Sequence, residues 1–168
     1  MSKESNGASS PDNFKVTAEA LKNGDVLCAL IVRFMKNRNE ENMISLLSCL
    51  RDSNVFMPAD VAVPNAGIIP DQPIYPAVQN IVIKPKMMKA ADGYNYVPLF
   101  SREINAKAGQ LKNYSLVNLP YIKCIDMLAQ LDNCSRFVID PFLYNLILTE
   151  NLIDISKQLP SRLDTKKQ

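Results

Sequence analysis

The sequence feature that most constrains the fold is the stretch Tyr94-Asn95-Tyr96-Val97-Pro98-Leu99-Phe100-Ser101-Arg102-Glu103. It follows an Asp-Gly pair, which is typical of a hairpin turn because both central positions of a type I′ turn need positive φ. Apolar side chains occupy both alternating sets of positions, which predicts an interior strand that is covered on both faces. The polar residues that come next are compatible with a helix. We therefore expect a strand that runs directly into a helix at the centre of the fold.

The segment before this stretch predicts the strand that pairs with it. Residues 80–86 are rich in β-branched side chains, which favour strands. With residues 87–91 they can fold back at the Asp-Gly turn, which would place Met88 opposite Val97 and Lys89 opposite Tyr96. The sheet is then mixed and not wholly parallel.

Helices and strands alternate along the rest of the chain. Apolar residues at helical spacing predict helices over residues 25–36, 40–51, 102–110, 120–131 and 150–159, with Asn39, Ser101 and Thr149 as N-caps. Strands are predicted over residues 54–58, 114–119, 136–142 and 144–148, and Pro58 is expected to end the first of them. This order predicts a single layered α/β or α+β domain with a mixed sheet of about five strands packed by helices.

The length of 168 residues favours one domain with a substantial core. We expect this domain to span residues 14–160, beginning with a short helical turn over residues 14–21. The polar residues 1–13 predict a disordered N-terminal tail, and residues 161–168 a C-terminal tail. The longest apolar run, residues 26–32, is far shorter than the ~20 residues of a membrane span, and the N-terminus lacks the apolar core of a secretory signal. No membrane association and a cytoplasmic location are expected.

The composition excludes several classes of chemistry. There is no histidine, which removes histidine-relay catalysis and the commonest metal ligand. The four cysteines form no CxxC pair, so no zinc site is predicted, and no cofactor is predicted because no stretch carries a recognisable cofactor signature. They are expected to be reduced and structural, although a disulfide in an oxidising compartment stays open. With 19 basic and 17 acidic residues, the chain lacks the basic excess that indicates nucleic-acid binding.

A proline-rich segment is the first candidate for a functional surface. Four prolines between residues 60 and 80 resist both helix and central strand, and long irregular loops in compact domains are often functional or mobile. The segment also contains apolar side chains that cannot all be buried: Ile68, Ile69, Ile74 and Tyr75. Exposed apolar groups of this kind indicate a surface for a protein partner or for self-association. The alternative is a surface insertion without function.

The carboxyl ends of two strands are the second candidate. Ser101, Arg102 and Glu103 follow one predicted strand, and Asp140 lies at the end of another. If these strands are parallel neighbours, the four residues meet at one edge of the sheet, where ligands of open α/β sheets tend to bind. The helix that starts there offers N–H groups to an anion. The alternative is that Ser101 only caps the helix and Asp140 only forms a turn before Pro141.

Three segments together resemble a known family. Phe56-Met57-Pro58, Pro98-Leu99-Phe100-Ser101 and Val138-Ile139-Asp140-Pro141-Phe142 follow one another with helices between them. Over residues 40–155 this order resembles the SseB amino-terminal domain family, also called the enhanced serine sensitivity protein family. The chain differs from the family pattern in having Ser101-Arg102 where Thr-Ser is usual, and Asp140 where Asn is usual. The resemblance implies a bacterial cytoplasmic α/β domain and no catalytic residues.

Two functional hypotheses follow. The first is a non-catalytic interaction or regulatory domain, which acts through the surface beside the proline-rich segment. The second is a protein that binds an amino acid or an anionic metabolite at the strand ends near Ser101 and Asp140. An enzymatic role is not favoured, because paired carboxylates cannot be located by spacing and no glycine-rich nucleotide motif is present.

Overall fold

A computed structural model describes residues 17–63, 67–68, 82–109, 111 and 114–163 of the chain. Beside a short 3-10 helix, Glu19–Leu21, this part contains α1 (Asp25–Lys36), α2 (Glu40–Asp52), α3 (Glu103–Lys107), α4 (Tyr121–Leu128) and α5 (Glu150–Gln158). Its strands are β1 (Asn54–Val63), β2 (Gly67–Ile68), β3 (Val82–Pro85), β4 (Met88–Lys89), β5 (Asn95–Leu99), β6 (Ser115–Pro120), β7 (Cys134–Ile139) and β8 (Leu146–Leu148). The predicted layered α+β fold is confirmed.

The strands form two sheets, where the sequence predicted one sheet of about five strands, and the sheets meet at one backbone bridge. In the first sheet, β1 pairs antiparallel with β2, β3 and β6. The second sheet has the order β4-β5-β7-β8, in which the β5–β7 pair is parallel and the other pairs are antiparallel. Phe56 of β1 and Phe100, directly after β5, exchange two backbone hydrogen bonds of 2.8 Å each. This bridge joins the sheets, and the predicted mixed character is confirmed.

β1 continues through Pro58, where the sequence predicted its end. Phe100 pairs with Phe56 on one side of β1, and pairing with β3 starts at Ala59. Pro58 lies between Phe56 and Ala59, where the neighbour of β1 changes from Phe100 to β3. The N–H that proline lacks is therefore not needed for pairing on that side. Its carbonyl oxygen accepts the N–H of Lys86 at 2.9 Å. The proline is therefore tolerated inside the strand.

The hairpin between β4 and β5 has a register one residue away from the predicted one. Met88 lies opposite Tyr96, and Lys89 lies opposite Asn95. The predicted pairing of Met88 with Val97 was wrong, as was that of Lys89 with Tyr96. The side-chain periodicity of a strand does not fix its register when both faces are apolar.

The turn of this hairpin explains the shift. It spans residues 90–94, and within its Asp-Gly pair only Gly93 has a positive φ, at 86°. A type I′ turn requires positive φ at both positions. The carboxylate of Asp92 instead accepts the N–H of Tyr94 at 3.0 Å, which stabilises the longer loop.

The apolar core lies mainly on one face of the sheets. On this face, helices α1, α2, α4 and α5 pack on alternate residues of the strands. The fully buried residues of this core include Leu27, Ile31, Leu46, Leu47, Leu50, Val55, Met57, Val97, Leu99, Phe137 and Ile139. The opposite face carries α3 and a smaller cluster formed by Phe56, Phe100, Ala106 and Leu116. The central strand β5 is thus covered on both faces, as predicted.

The helix caps follow the predictions in part. Asn39 caps α2, since its side-chain oxygen accepts the N–H of Asn42 at 2.8 Å. Thr149 occupies the N-cap position of α5, but its side chain makes no capping hydrogen bond. α3 begins one residue later than predicted, and Arg102 is its N-cap residue in place of Ser101.

The chain ends are described only in part. Residues 1–16 and 164–168, which include the predicted N-terminal tail, lie outside the described residues. Near the other end, the Oγ of Ser161 and the N–H of Arg162 donate hydrogen bonds of 2.7 Å to the two carboxylate oxygens of Asp52. The first residues after the predicted domain are therefore attached to the end of α2. None of the described helices has the length and apolar character needed to cross a membrane.

Candidate functional site

Ser101 and Asp140 meet at the carboxyl ends of the parallel strands β5 and β7. The N–H of Ser101 donates to Oδ1 of Asp140 at 3.0 Å, and its hydroxyl donates to Oδ2 at 2.6 Å. The amide Nδ2 of Asn105 in turn donates to Oγ of Ser101 at 3.0 Å. Ser101 and Asp140 are fully buried. The two strand ends come together as predicted, but the predicted capping role of Ser101 was wrong because its hydroxyl binds a carboxylate and not a helix N–H.

The backbone of Asp140 also organises the turn after β7. Its N–H donates to the carbonyl of Leu99 at 2.8 Å, and its carbonyl accepts the N–H groups of Leu143, Tyr144 and Asn145 at 2.9–3.0 Å. Asp140 adopts a positive φ of 48°, a conformation in which Asp and Asn are enriched among non-glycine residues. The residue is therefore a turn former as well as a polar partner of Ser101.

The carboxyl group of Asp140 is held in an environment that disfavours its charge. Burial raises the pKa of Asp140 above its ordinary value, and the two hydrogen bonds from Ser101 only partly offset this effect. A hydrogen bond from Asn105 and the positive charge of Arg102 also lower the pKa of Asp140. Because the carboxylate is fully buried, it does not offer an oxygen to a molecule in solvent.

Gly24 at the start of α1 packs against the backbone of Ser101. A Cβ atom on Gly24 would lie 1.6 Å from the Ser101 carbonyl oxygen, and the φ of Gly24 is 83°. The next residue, Asp25, forms an ion pair of 3.5 Å with the guanidinium of Arg102. The start of α1 therefore belongs to the same edge as the two strand ends. We name residues 24–26, 101–104 and 140–143 the strand-end edge.

Arg102 and Glu103 lie on the surface of the strand-end edge, unlike Ser101 and Asp140. The side chain of Glu103 is 3.9 Å from Lys107, one helical turn further along α3. Both residues border a groove of about 530 Å³ between α3 and the 3-10 helix, which is lined by Glu19, Lys22, Asn23, Phe56, Arg102, Glu103, Ile104 and Lys107. Only two of the four predicted site residues are thus accessible from solvent.

Four exposed apolar side chains belong to the segments of the strand-end edge. Ile104 is 59% exposed, Leu143 is 52% exposed, and Val26 and Phe142 are close to 40%. They account for four of the nine large apolar side chains that are exposed within the described part of the chain. Phe142 stacks on Phe100 with ring centroids 5.9 Å apart, which holds it at the surface. Sequence reasoning missed these residues, although an apolar pair directly after Asp140-Pro141 was a signal.

The other predicted surface is not described. Ile69, Ile74 and Tyr75 lie outside the described residues, and only the backbone of Ile68, in β2, is described. No cluster of three or more metal-binding side chains occurs among the residues with known positions. The cysteines are unpaired, and burial raises the pKa of Cys124 to about 12.

Comparison with protein families, with curated proteins and with solved structures finds no match for this chain. The resemblance to the SseB amino-terminal domain family therefore stays a proposal that rests on short motifs. The geometry of the strand-end edge is the basis on which a function can be argued.

Proposed function

We propose that this chain is a non-catalytic interaction domain, and that its protein partner binds at the strand-end edge. The observation that carries this proposal is the exposure of Val26, Ile104, Phe142 and Leu143, all of which belong to the segments of the strand-end edge. Large apolar groups concentrated on one surface favour contact with another protein. The resemblance to the SseB amino-terminal domain family implies a bacterial cytoplasmic domain without catalytic residues, which is compatible with this role.

The polar residues at this edge support a structural role. Both carboxylate oxygens of Asp140 accept hydrogen bonds from Ser101, and both residues are fully buried. A general acid or base has to reach the proton that it transfers, directly or through one water. The buried pair instead fixes the positions of the strand ends, from which the exposed residues project.

Site-specific photo-cross-linking tests the proposal. A photoreactive amino acid is placed at Ile104, and a matched one at Val82 of β3, which is 63% exposed. Val82 pairs with Ala62, which is six residues along β1 from Phe56. By strand rise, Val82 therefore lies about 20 Å from the bridge between Phe56 and Phe100. In source cells we expect a discrete protein adduct from position 104 and none from position 82. Equal labelling from both positions, or none from either, would reject the proposal.

A second candidate function is the binding of a small zwitterionic or anionic metabolite in the groove. The volume of about 530 Å³ lies within the usual range of ligand pockets, and Arg102 and Glu103 supply opposite charges beside the apolar Ile104. A thermal-shift screen against amino acids and phosphorylated metabolites tests this candidate. A ligand at a hundred times its dissociation constant adds about 2.7 kcal/mol of stability. Arg102→Ala should abolish the shift, and an unchanged shift would reject the assigned site.

A further inference from the structure

We infer that a cavity between α1 and α2 binds a small phosphate ester that also carries hydroxyl groups, of the sugar phosphate class. The cavity has a volume of about 510 Å³ and is lined by Ala29, Val32, Arg33, Lys36, Asn37, Asn39, Glu41 and Asn42. It lies at the end of α1 away from the strand-end edge, about 15 Å along the helix by helical rise. The site is therefore separate from the interaction surface proposed above.

Two cations border this cavity without a partner of opposite charge. Arg33 and Lys36 are three residues apart in the last turn of α1, so their side chains lie on the same side of the helix. The ion pairs formed within the part of the chain that the structure describes include neither of them. Glu41 also borders the cavity but forms no ion pair with either cation. An anion that contacts both cations would be attracted by each.

The connection between the two helices is held by its own hydrogen bonds, which form the cavity before a ligand arrives. The carbonyl oxygen of Asn37 accepts the N–H of Asn39 at 3.1 Å and the Nδ2 of Asn42 at 2.7 Å. The Oδ1 of Asn39 accepts the N–H of Asn42 at 2.8 Å. Because the oxygen of the Asn39 amide is used in this way, its Nδ2 is the group that can donate to a bound anion.

Asn42 indicates that the ligand is more than a bare anion. The residue is only 5% exposed, and its Nδ2 is bound to Asn37, which fixes the orientation of the amide. Its Oδ1 accepts no hydrogen bond from a described residue, although Asn42 borders the cavity. Nearly buried polar atoms generally have a partner, and a hydroxyl group of the ligand would supply the donor. The carboxylate of Glu41 is a second acceptor on the same lining.

A phosphate ester fits the cationic part of the lining better than a carboxylate does. A phosphate ester carries close to two negative charges at neutral pH and three acceptor oxygens. Arg33, Lys36 and the Nδ2 of Asn39 offer two positive charges and an amide donor. Arginine and lysine are both common phosphate ligands. The cavity volume lies within the usual range of small-molecule sites, so the hydroxylated part of the ligand can be accommodated as well.

Isothermal titration calorimetry of the full chain at low salt tests this inference with a panel of sugar phosphates. We expect at least one of them to bind, and both inorganic phosphate and the unphosphorylated sugar to bind at least about tenfold more weakly. If no sugar phosphate binds up to millimolar concentration, the inference is wrong. Binding of inorganic phosphate as tight as that of the ester would overturn the assigned ligand class.

Variants of the two cations test the location of the site. Arg33→Gln and Lys36→Gln should each weaken binding of the sugar phosphate at least about tenfold, because each removes a charge from the cavity. Arg38→Gln is the matched control, since Arg38 does not line the cavity and its guanidinium donates to Sδ of Met35 at 3.6 Å. It should bind like the unmodified chain. Circular dichroism confirms that each variant is folded, and equal affinities of all three variants would contradict the assigned site.

Arg102→Ala distinguishes this cavity from the groove beside α3. Arg102 borders that groove and not the cavity, so its substitution should leave the affinity for the sugar phosphate unchanged. Lost binding in Arg102→Ala, together with unchanged binding in Arg33→Gln, would assign the ligand to the groove and overturn the inference. Neither outcome bears on the cross-linking at Ile104, so this inference and the proposed interaction domain can fail separately.

Discussion

Ser101 and Asp140, 39 residues apart in the chain, are joined by two hydrogen bonds that use both carboxylate oxygens. One donor is a backbone N–H at the end of β5, and the other is the serine hydroxyl, 2.6 Å from Oδ2. The pair is fully buried. It fixes the ends of the two parallel strands relative to each other, and with them the exposed residues of the strand-end edge.

The hydroxyl of Ser101 should contribute measurably to stability. Ser101→Ala removes a donor from a buried carboxylate, and we expect a loss of about 1.5–3 kcal/mol in the free energy of unfolding. Ser161→Ala is the matched control, because Ser161 donates to Asp52 at 2.7 Å from an exposed position. Asp52 also accepts from Arg162 and Arg51, so this change should cost no more than about 1 kcal/mol. Urea unfolding measures both values, and equal losses would contradict the account.

The titration of Asp140 should make stability depend on pH in a definite direction. Burial raises the pKa of Asp140 above its ordinary value of 3.8, so in the window between that value and the folded pKa the native state binds more protons than the unfolded state. The stability that protonated Asp140 contributes to the folded chain is present at low pH and is lost as pH rises through the pKa of the folded state. Relative to Asp140→Asn, the unmodified chain should therefore gain stability as pH falls through this window. Urea unfolding of both chains over a pH series checks this, and a relative loss on acidification would show that the pKa is lowered.

Two glycines with nearly equal φ angles should differ in their tolerance of alanine. Gly24 has φ 83° and Gly93 has φ 86°, so either change incurs about 1–2 kcal/mol for the left-handed conformation. At Gly24 the new Cβ would also overlap the Ser101 carbonyl, whereas nothing lies within 4 Å of it at Gly93. We expect Gly24→Ala to be clearly the more destabilising substitution in thermal unfolding. Equal destabilisation would mean that α1 does not pack on Ser101 as described.

Cysteine alkylation should report on the unfolding of the main core. Cys124 is fully buried on α4, and burial raises its pKa to about 12, so both access and thiolate formation are suppressed. Its alkylation is expected only through unfolding of the domain, and its rate should follow the free energy of unfolding in destabilised variants. Cys134, partly exposed at the start of β7, should react earlier. Mass spectrometry after partial alkylation distinguishes the two sites, and early modification of Cys124 would contradict its placement in the core.

Local patterns in the sequence were enough to locate most elements. α1 was predicted with the bounds that it has, and α2 differs by one residue, because an apolar stripe and the Asn39 cap are short-range signals. The capping role assigned to Ser101 failed for the opposite reason. Capping would use an N–H close to Ser101 in the sequence. The carboxylate that its hydroxyl binds is 39 residues away and comes within reach only in the folded chain.

The candidate site was predictable only in outline. The sequence placed Ser101 and Asp140 at one edge only on the condition that their strands are parallel neighbours, and the parallel β5–β7 pair meets that condition. Whether a residue at that edge is buried depends on what packs over it, which periodicity does not show. Asp140 is fully buried, while Ile104, on a helix of five residues with too little length for an apolar stripe, is left exposed.

Covalent footprinting tests most directly whether the strand-end edge is an interaction surface. The chain is labelled with a small diffusible reagent, once as dilute purified protein and once inside source cells. Ile104, Phe142 and Leu143 should be labelled in the dilute protein and protected in cells, while Tyr94, 61% exposed at the other end of β5, should be labelled equally in both. Equal labelling of the edge residues in both states would contradict the proposal that a protein covers them.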